Sequence, residues 1–232
     1  MQMHADFAPM IEGLASPNHV REEDRAERFW NKLAARYSKQ PIANLPAYHA
    51  KLEATKARLN PDDVILDIGC GTGSLALELA PCVSRVHAID ISREMVKIAN
   101  RKAVAQGITN ATFHNTTVGE LSAVERETFD SICAFNILHL VDDYAGVLAK
   151  IFEMLKPGGS FISTTPCLAE SLVPFWMILP LMKLVGKAPE VWLLKVAALE
   201  RNLQAAGFTD IERPEIPAGK ATAFFVARKP LA

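Results

Sequence analysis

The stretch "VILDIGCGTGSLALELA", Val64 to Ala80, decides the fold. Val64, Ile65, Leu66 and Ile68 are β formers of the kind that fill a strand buried on both faces. Three glycines follow, Gly69, Gly71 and Gly73. From Ser74 the pattern turns helical, with Leu75, Leu77 and Leu79 beside Ala76 and Ala80. Strand, glycine turn and helix in that order form the ligand-binding corner of a parallel sheet. There a missing Cβ lets the backbone approach a ligand closely.

Working outward, the chain alternates. "RVHAID" reads as a second strand, and Ser92 caps a helix through about Gln106 by accepting a first-turn N–H. "ATFHN" and "TFDSICAFNIL" read as strands. "DYAGVLAKIFEMLK" reads as a helix stopped by Pro157, Gly158 and Gly159, and "SFISTT" as the strand after it. Strands alternating with helices predict a parallel sheet covered on both faces. The end of the chain breaks the rhythm. "ALERNLQAAG" is a helix, but "FTDIE" and "TAFFVARK" are joined only by "RPEIPAG", too short for a parallel crossover. The last strand is therefore expected to run antiparallel. Before the first strand, apolar residues at helical spacing predict helices over 21–37 and 47–59, and residues up to about Pro17 read as a loosely attached leader.

The 232 residues suit one domain with an embellishment. Lysines and arginines number 25 against 26 acids, so no basic footprint for nucleic acid is present. Cys70, Cys82, Cys133 and Cys167 have no metal-ligand spacing, which makes a reduced cytoplasmic protein with no metal the expectation. The start of the chain does not read as a secretory signal. The most apolar run, Ser171 to Val185, is too short to span a bilayer and carries Pro174, Pro180 and Lys183.

The glycine turn could hold a dinucleotide, a triphosphate or a sulfonium nucleoside. Its spacing is G-x-G-x-G, not the G-x-G-x-x-G that seats a pyrophosphate on a helix N-terminus. No Walker lysine follows it. Asp67, just before the glycines, would repel a pyrophosphate but could bind an ammonium group. Asp90, at the end of the second strand, can accept both hydroxyls of a ribose.

With these residues in view, the chain resembles the class I S-adenosylmethionine-dependent methyltransferases, over roughly Val64 to Lys229. "VILDIGCGTG" and "VHAIDIS" resemble the family's first two motifs. "FDSICAFNILHLVDD", "LKPGGSFIST" and "LQAAGFTDIE" resemble its later ones, in order. The group that includes ubiquinone and menaquinone methyltransferases is the most similar in character. The resemblance implies a Rossmann-like, seven-stranded, mostly parallel sheet with an antiparallel last strand and helices on both faces. Residues 1–60 would form a leader and helical cap, 61–232 the methyltransferase domain, and 168–199 a helical lid.

It also implies roles. Asp67 and the turn Gly69, Cys70, Gly71, Thr72 and Gly73 would surround the methionine part of S-adenosylmethionine. Asp90 would hold the ribose, with Ser92 beside it, while Ile91 and Met95 would pack on adenine. After the third strand the family usually places an acid for the adenine amino group. Here that position is Thr117, within Thr116 to Val118, which is a departure. Asn136, Ile137 and the residues to Leu140 would line the path to the acceptor.

The acceptor is expected to be a small, apolar molecule. His139 follows the fourth strand, where a general base or a loop-propping histidine would stand. Cys167, Phe175 and Trp176 would line the acceptor pocket, with Tyr37 and Tyr48 covering the other side. "FNIL" is not the Asn/Asp-Pro-Pro-aromatic motif of amino methyltransferases. Pro166–Cys167 lacks the basic context of a covalent cytosine methyltransferase. Three other readings remain open: a non-catalytic S-adenosylmethionine or S-adenosylhomocysteine binder, a lipid or quinone methyltransferase at a membrane surface, and a nicotinamide-dependent oxidoreductase. Few basic residues flank the apolar run, which weakens the membrane reading.

Overall fold

The computed structural model describes residues 17–123, 125–184, 188–219 and 221–231. The expected leader, 1–16, and Val185 of the apolar run lie outside the described residues.

In chain order the elements are α1 (Pro17–Tyr37), α2 (Leu45–Lys56), β1 (Val64–Ile68), α3 (Ser74–Leu79), β2 (Arg85–Asp90), α4 (Arg93–Gln106), β3 (Ala111–Asn115) and α5 (Val118–Ser122). They continue as β4 (Phe129–Phe135), α6 (Tyr144–Met154), β5 (Leu155–Pro166), α7 (Phe175–Leu184), α8 (Val196–Ala205), β6 (Thr209–Glu212) and β7 (Thr222–Arg228). The strand order is β3-β2-β1-β4-β5-β7-β6. β1 pairs in parallel with both β2 and β4. Strand order therefore reverses at β1, and the crevice that such a sheet offers a ligand falls at the carboxyl ends of β1 and β4. β7 is antiparallel to β5 and to β6, as the short final connection requires.

Side chains alternate along each strand, so the sheet carries two cores. One packs Leu66, Phe129, Ile132 and Phe161 against Leu148 and Ile151 of α6 and Leu199 and Leu203 of α8. The other packs Ile65, Val86, Cys133 and Ile162 against Leu52 of α2, Leu79 of α3 and Ala99 of α4. Asp130 ties together the amino ends of β1, β4 and β5, at the opposite end of the sheet from that crevice. Its Oδ2 accepts from the Val64 N–H at 2.8 Å, and the Lys156 ammonium donates to both its oxygens at 2.8 and 2.9 Å. Partial exposure keeps that ion pair near ~1 kcal/mol.

Several boundaries differ from the sequence reading; the helices expected over 21–37 and 47–59 are Pro17–Tyr37 and Leu45–Lys56. The helix expected to run through Lys156 ends at Met154, and β5 already begins at Leu155. The backbone before Pro157 avoids the helical region, and Lys156 is held extended by Asp130. Within the span expected as a lid, Leu194, Val196 and Leu199 are buried while α7 stands out from the core. No residue of α7 is buried, and Trp176 and Leu184 are 67% and 84% exposed. Among the described residues no helix is long and apolar enough to cross a membrane.

Candidate functional site

The site grows from the turn after β1. The Gly69 and Cys70 N–H groups donate to the Ile89 carbonyl at 2.9 and 3.0 Å, so the turn is hung on β2. The three glycines all have φ in the left-handed region. They serve different ends. A Cβ on Gly69 would lie 2.8 Å from Ile137 Cγ1, and one on Gly73 would lie 2.8 Å from Ala99 Cβ. Those two positions are demanded by the protein's own packing. A Cβ on Gly71 would meet only Tyr37 Cε1, at 3.9 Å. Gly71 is thus the residue of the turn whose bare backbone faces open space.

Asp90 holds the far wall. Its Oδ2 accepts from Gly71 N–H and its Oδ1 from Ser92 N–H, both at 2.8 Å. Burial raises its carboxyl above the usual range, and these two backbone bonds oppose the rise. Each oxygen keeps a lone pair for a hydroxyl donor. Asn115 fixes the loop from the side by donating to the Asp90 and Ile91 carbonyls at 3.1 and 2.8 Å.

Ser92 and Met95 sit beneath the surface of the groove. The Ser92 hydroxyl accepts from Met95 N–H at 3.2 Å and donates to Asn31 Oδ1 at 2.8 Å, and both residues are buried. Ser92 is therefore a helix cap whose hydroxyl is engaged on protein groups. Asn31 of α1 also accepts from Glu94 N–H at 3.0 Å, clamping α1 onto the start of α4. Ile91 lies partly exposed between them.

The loop after β3 carries a capping box. The Thr117 hydroxyl is a capping group that accepts from Glu120 N–H at 3.2 Å. In return the Glu120 carboxylate accepts from Thr116 Oγ1 at 2.7 Å and from Thr117 N–H at 3.0 Å. The Glu120 carboxylate is thereby held beside Thr116 and Thr117. Val118 is buried behind it.

Asp67 is 2% exposed, and its Oδ2 has no hydrogen-bond partner among the described residues. Burial pushes its carboxyl up to about 7, with the Asp90 charge adding and Lys51 opposing. The other buried unpartnered side-chain atoms in the described residues are His139 Nδ1 and the hydroxyls of Ser163, Thr164 and Thr165. All five belong to the carboxyl end of β1, the loop after β4, or the end of β5. Unsatisfied buried polar atoms cost about 1–3 kcal/mol each, and their collection at one edge marks where a polar ligand belongs. S-adenosylmethionine fits this chemistry: its ammonium would supply the donor that Asp67 Oδ2 lacks, and its ribose hydroxyls the donors that Asp90 can still accept.

After β4, Asn136 takes a left-handed φ of 57° and donates its N–H to the Thr164 carbonyl at 2.7 Å. That bend sends Ile137 back against Gly69. His139 follows, and its carbonyl accepts from Trp192 N–H at 2.8 Å. Burial lowers its imidazole from 6.5 to about 4, so at neutral pH the ring is uncharged. Between those values the unfolded chain holds a proton that the folded one does not. The His139 contribution to stability is therefore full above pH 6.5 and is lost as pH falls toward 4. Asp67 acts in the opposite sense over 3.8 to 7, because its folded state holds the extra proton there. The His139 effect is thus read as a difference: the stability of wild type relative to His139→Gln falls by roughly 3 kcal/mol across the window. Denaturant melts at several pH values check it, and a flat difference would contradict it.

Of the remaining expected residues, Tyr37 and Tyr48 reach the site. The Tyr37 ring covers Gly71, and burial followed by the Asp90 charge raises its hydroxyl. Tyr48, half-buried, lies near Glu78 and Asp67. Cys167 does not line a pocket: it is fully buried in the core with Leu194, Val196 and Leu199. Trp176 points into solvent from α7, and Phe175 beside it is only partly buried. Among the described residues no group of three or more His, Cys, Asp or Glu could hold a metal. The sequence reading missed Asn31, Lys51 and Glu120. Only Glu120 had a local signal, the Thr-x-x-Glu spacing of a capping box.

The chain is similar to known methyltransferases. A family model described as "Methyltransferase domain" matches residues 59–198. The chain is 32% identical over 152 residues to a ubiquinone biosynthesis O-methyltransferase of Xanthomonas axonopodis, covering 63% of this chain and 61% of that protein. The chain thus spans about three fifths of that relative's length. It is 29% identical over 221 residues to a demethylmenaquinone methyltransferase of Geobacillus kaustophilus, covering 84% and 92%. A phosphoethanolamine N-methyltransferase of Haemonchus contortus, solved with phosphomonomethylethanolamine and S-adenosylhomocysteine, superposes with a TM-score of 0.67 at 18% identity, over 79% of this chain and 53% of that one. That likeness is one of fold.

Proposed function

Because the chain belongs to the class I S-adenosylmethionine-dependent methyltransferases, we propose that it transfers a methyl group from S-adenosylmethionine to a small, largely apolar acceptor. The observation that carries this reading is the pair Asp67 and Asp90 flanking a turn open at Gly71, with Asp67 Oδ2 buried and unpartnered.

The cofactor brings a methyl already activated on a sulfonium, so the chain's task is alignment and exclusion of water. Asp67 takes the ammonium, and Asp90 takes the ribose while holding Gly71 in place. Glu120, presented by Thr116 and Thr117, accepts from the adenine amino group. Ile137 and the bend at Asn136 set the wall between cofactor and acceptor. His139, uncharged at neutral pH, accepts a hydrogen bond or a proton at Nδ1.

An apolar acceptor is supported by the relatives named for ubiquinone and menaquinone biosynthesis. The reduced cytoplasm suits four unpaired cysteines. A second reading, action on a lipid or quinone at a membrane surface, is favoured by the exposed Trp176, Met177, Leu181 and Leu184 of α7. The test is formation of S-adenosylhomocysteine from S-adenosylmethionine over a panel of phenols, catechols and short-chain quinols. Turnover on at least one supports the proposal. Tight cofactor binding without turnover on any would make the chain a cofactor-binding protein. A rate that rises only when vesicles are added would favour the second reading.

A further inference from the structure

Lys51 of α2 lies at the same edge of the sheet and has no role in the account above. Its ammonium stands 4.8 Å from the centre of the Phe135 ring and 5.6 Å from that of Tyr48. Among the described residues no carboxylate is in salt-bridge contact with it. Burial lowers its basicity, and the nearby Asp67 and Cys133 oppose that. An ammonium held over two rings, with Asp67 near it but not in salt-bridge contact, is placed to receive a negative charge from a ligand.

The strand register says where that charge would sit. Phe135, last residue of β4, pairs with Thr164 of β5. Alternation puts Asp67, Phe135 and Thr164 on the sheet face that Ile65, Cys133 and Ile162 share with Leu52 of α2. Thr164 is 4% exposed, and its hydroxyl has no partner among the described residues. A cation and a buried, unpartnered donor thus stand on one face, at the ends of adjacent strands. The groups that receive the cofactor's ammonium and ribose stand on β1 and β2. The Lys51–Phe135–Thr164 group lies across β1 from Asp90, over β4 and β5, on the side of β1 away from the ribose position.

We propose that Lys51 and Thr164 hold the oxyanion of the acceptor, which is therefore a phenol, enol or similar hydroxyl compound bound as its anion. This rests on the methyltransferase reading. The hydroxyl loses its proton to solvent on binding, because a nearby ammonium favours the charged form. An oxygen lone pair forms the O–C bond while the C–S bond breaks, and that electron pair stays on sulfur as a neutral thioether. Lys51 keeps its protons throughout. The product is a neutral ether that no longer pairs with Lys51, which aids its release.

The probe is para-nitrophenol, titrated by absorbance in the presence of the protein with S-adenosylhomocysteine bound. The titratable groups around Lys51 are Asp67 of β1, Cys133 of β4 and Tyr48 of α2, with Glu78 of α3 beyond Tyr48. In wild type the bound phenol titrates about one pH unit or more below the free one, a tenfold preference for the anion. Lys51→Met abolishes that shift, Lys51→Arg keeps it, and Thr164→Val reduces it. Affinity for methylthioadenosine, which lacks the amino acid part, stays within about twofold in Lys51→Met, and that for S-adenosylhomocysteine falls only about threefold, because Lys51 no longer opposes the rise of the Asp67 carboxyl. Three results overturn the proposal. One is a bound phenol that titrates as in water. Another is a shift that survives Lys51→Met. The third is a Lys51→Met loss of about tenfold or more for S-adenosylhomocysteine but not methylthioadenosine, which would assign Lys51 to the cofactor's carboxylate. If wild type binds neither nucleoside, the methyltransferase reading fails first and takes this one with it.

Discussion

Asp90→Ala weakens binding of S-adenosylhomocysteine about a hundredfold or more. The carboxylate does two things at once. It offers charged acceptors to the ribose hydroxyls, and hydrogen bonds to a charged group contribute about 1.5–3 kcal/mol each. It also holds Gly71 and Ser92 through N–H bonds of 2.8 Å, so its loss frees the turn as well. About 3 kcal/mol of lost binding corresponds to roughly two orders of magnitude in Kd. Asp90→Asn is the control for folding. Its amide can still accept from one of the two N–H groups, so the turn is partly kept while the charge is gone. Calorimetry reads the affinities and circular dichroism the fold. An Asp90→Ala protein that folds and binds within a fewfold of wild type would remove the ribose role.

The glycines separate binding from stability. Gly73→Ala places a methyl 2.8 Å from Ala99 Cβ and 2.9 Å from the Phe113 ring, at a φ of 76°. Overpacking costs about 1–3 kcal/mol and the left-handed backbone another 1–2, so this variant loses roughly 2–5 kcal/mol of stability. Gly71→Ala carries only the backbone cost, about 1–2 kcal/mol, since its methyl meets nothing nearer than Tyr37 at 3.9 Å. Its methyl enters the space where a ligand would lie against the turn. Gly71→Ala is therefore expected to fold and to lose at least about tenfold in cofactor affinity, while Gly73→Ala melts earlier. If Gly71→Ala binds normally, the open face of the turn is not the cofactor's.

The parts of this site that local pattern encodes were readable in the sequence. The glycine spacing, the acid closing β2 and the Ser92 cap each sit within a few residues of the element they define. The missing crossover between β6 and β7 announced the antiparallel strand. What the sequence hid depends on distant segments meeting. Asn31 reads as a polar position on an amphipathic helix until α1 is laid across the start of α4. Lys51 reads as a solvent-facing lysine until α2 is set over Phe135 and Asp67. Cys167 read as a pocket residue from its neighbours in sequence, yet it packs under α8 because the chain turns inward after Pro166. Composition marks the apolar run, but not how far α7 stays exposed.

The most direct test is calorimetric titration of the wild-type protein with S-adenosylhomocysteine at pH 6 and pH 8, with methylthioadenosine alongside. The Asp67 carboxyl, raised to about 7 by burial, is largely protonated at the lower pH and must release its proton to pair with an ammonium. The account predicts micromolar binding at one site, tighter at pH 8 than at pH 6 for S-adenosylhomocysteine and pH-independent for methylthioadenosine. Failure to bind S-adenosylhomocysteine at either pH would contradict it.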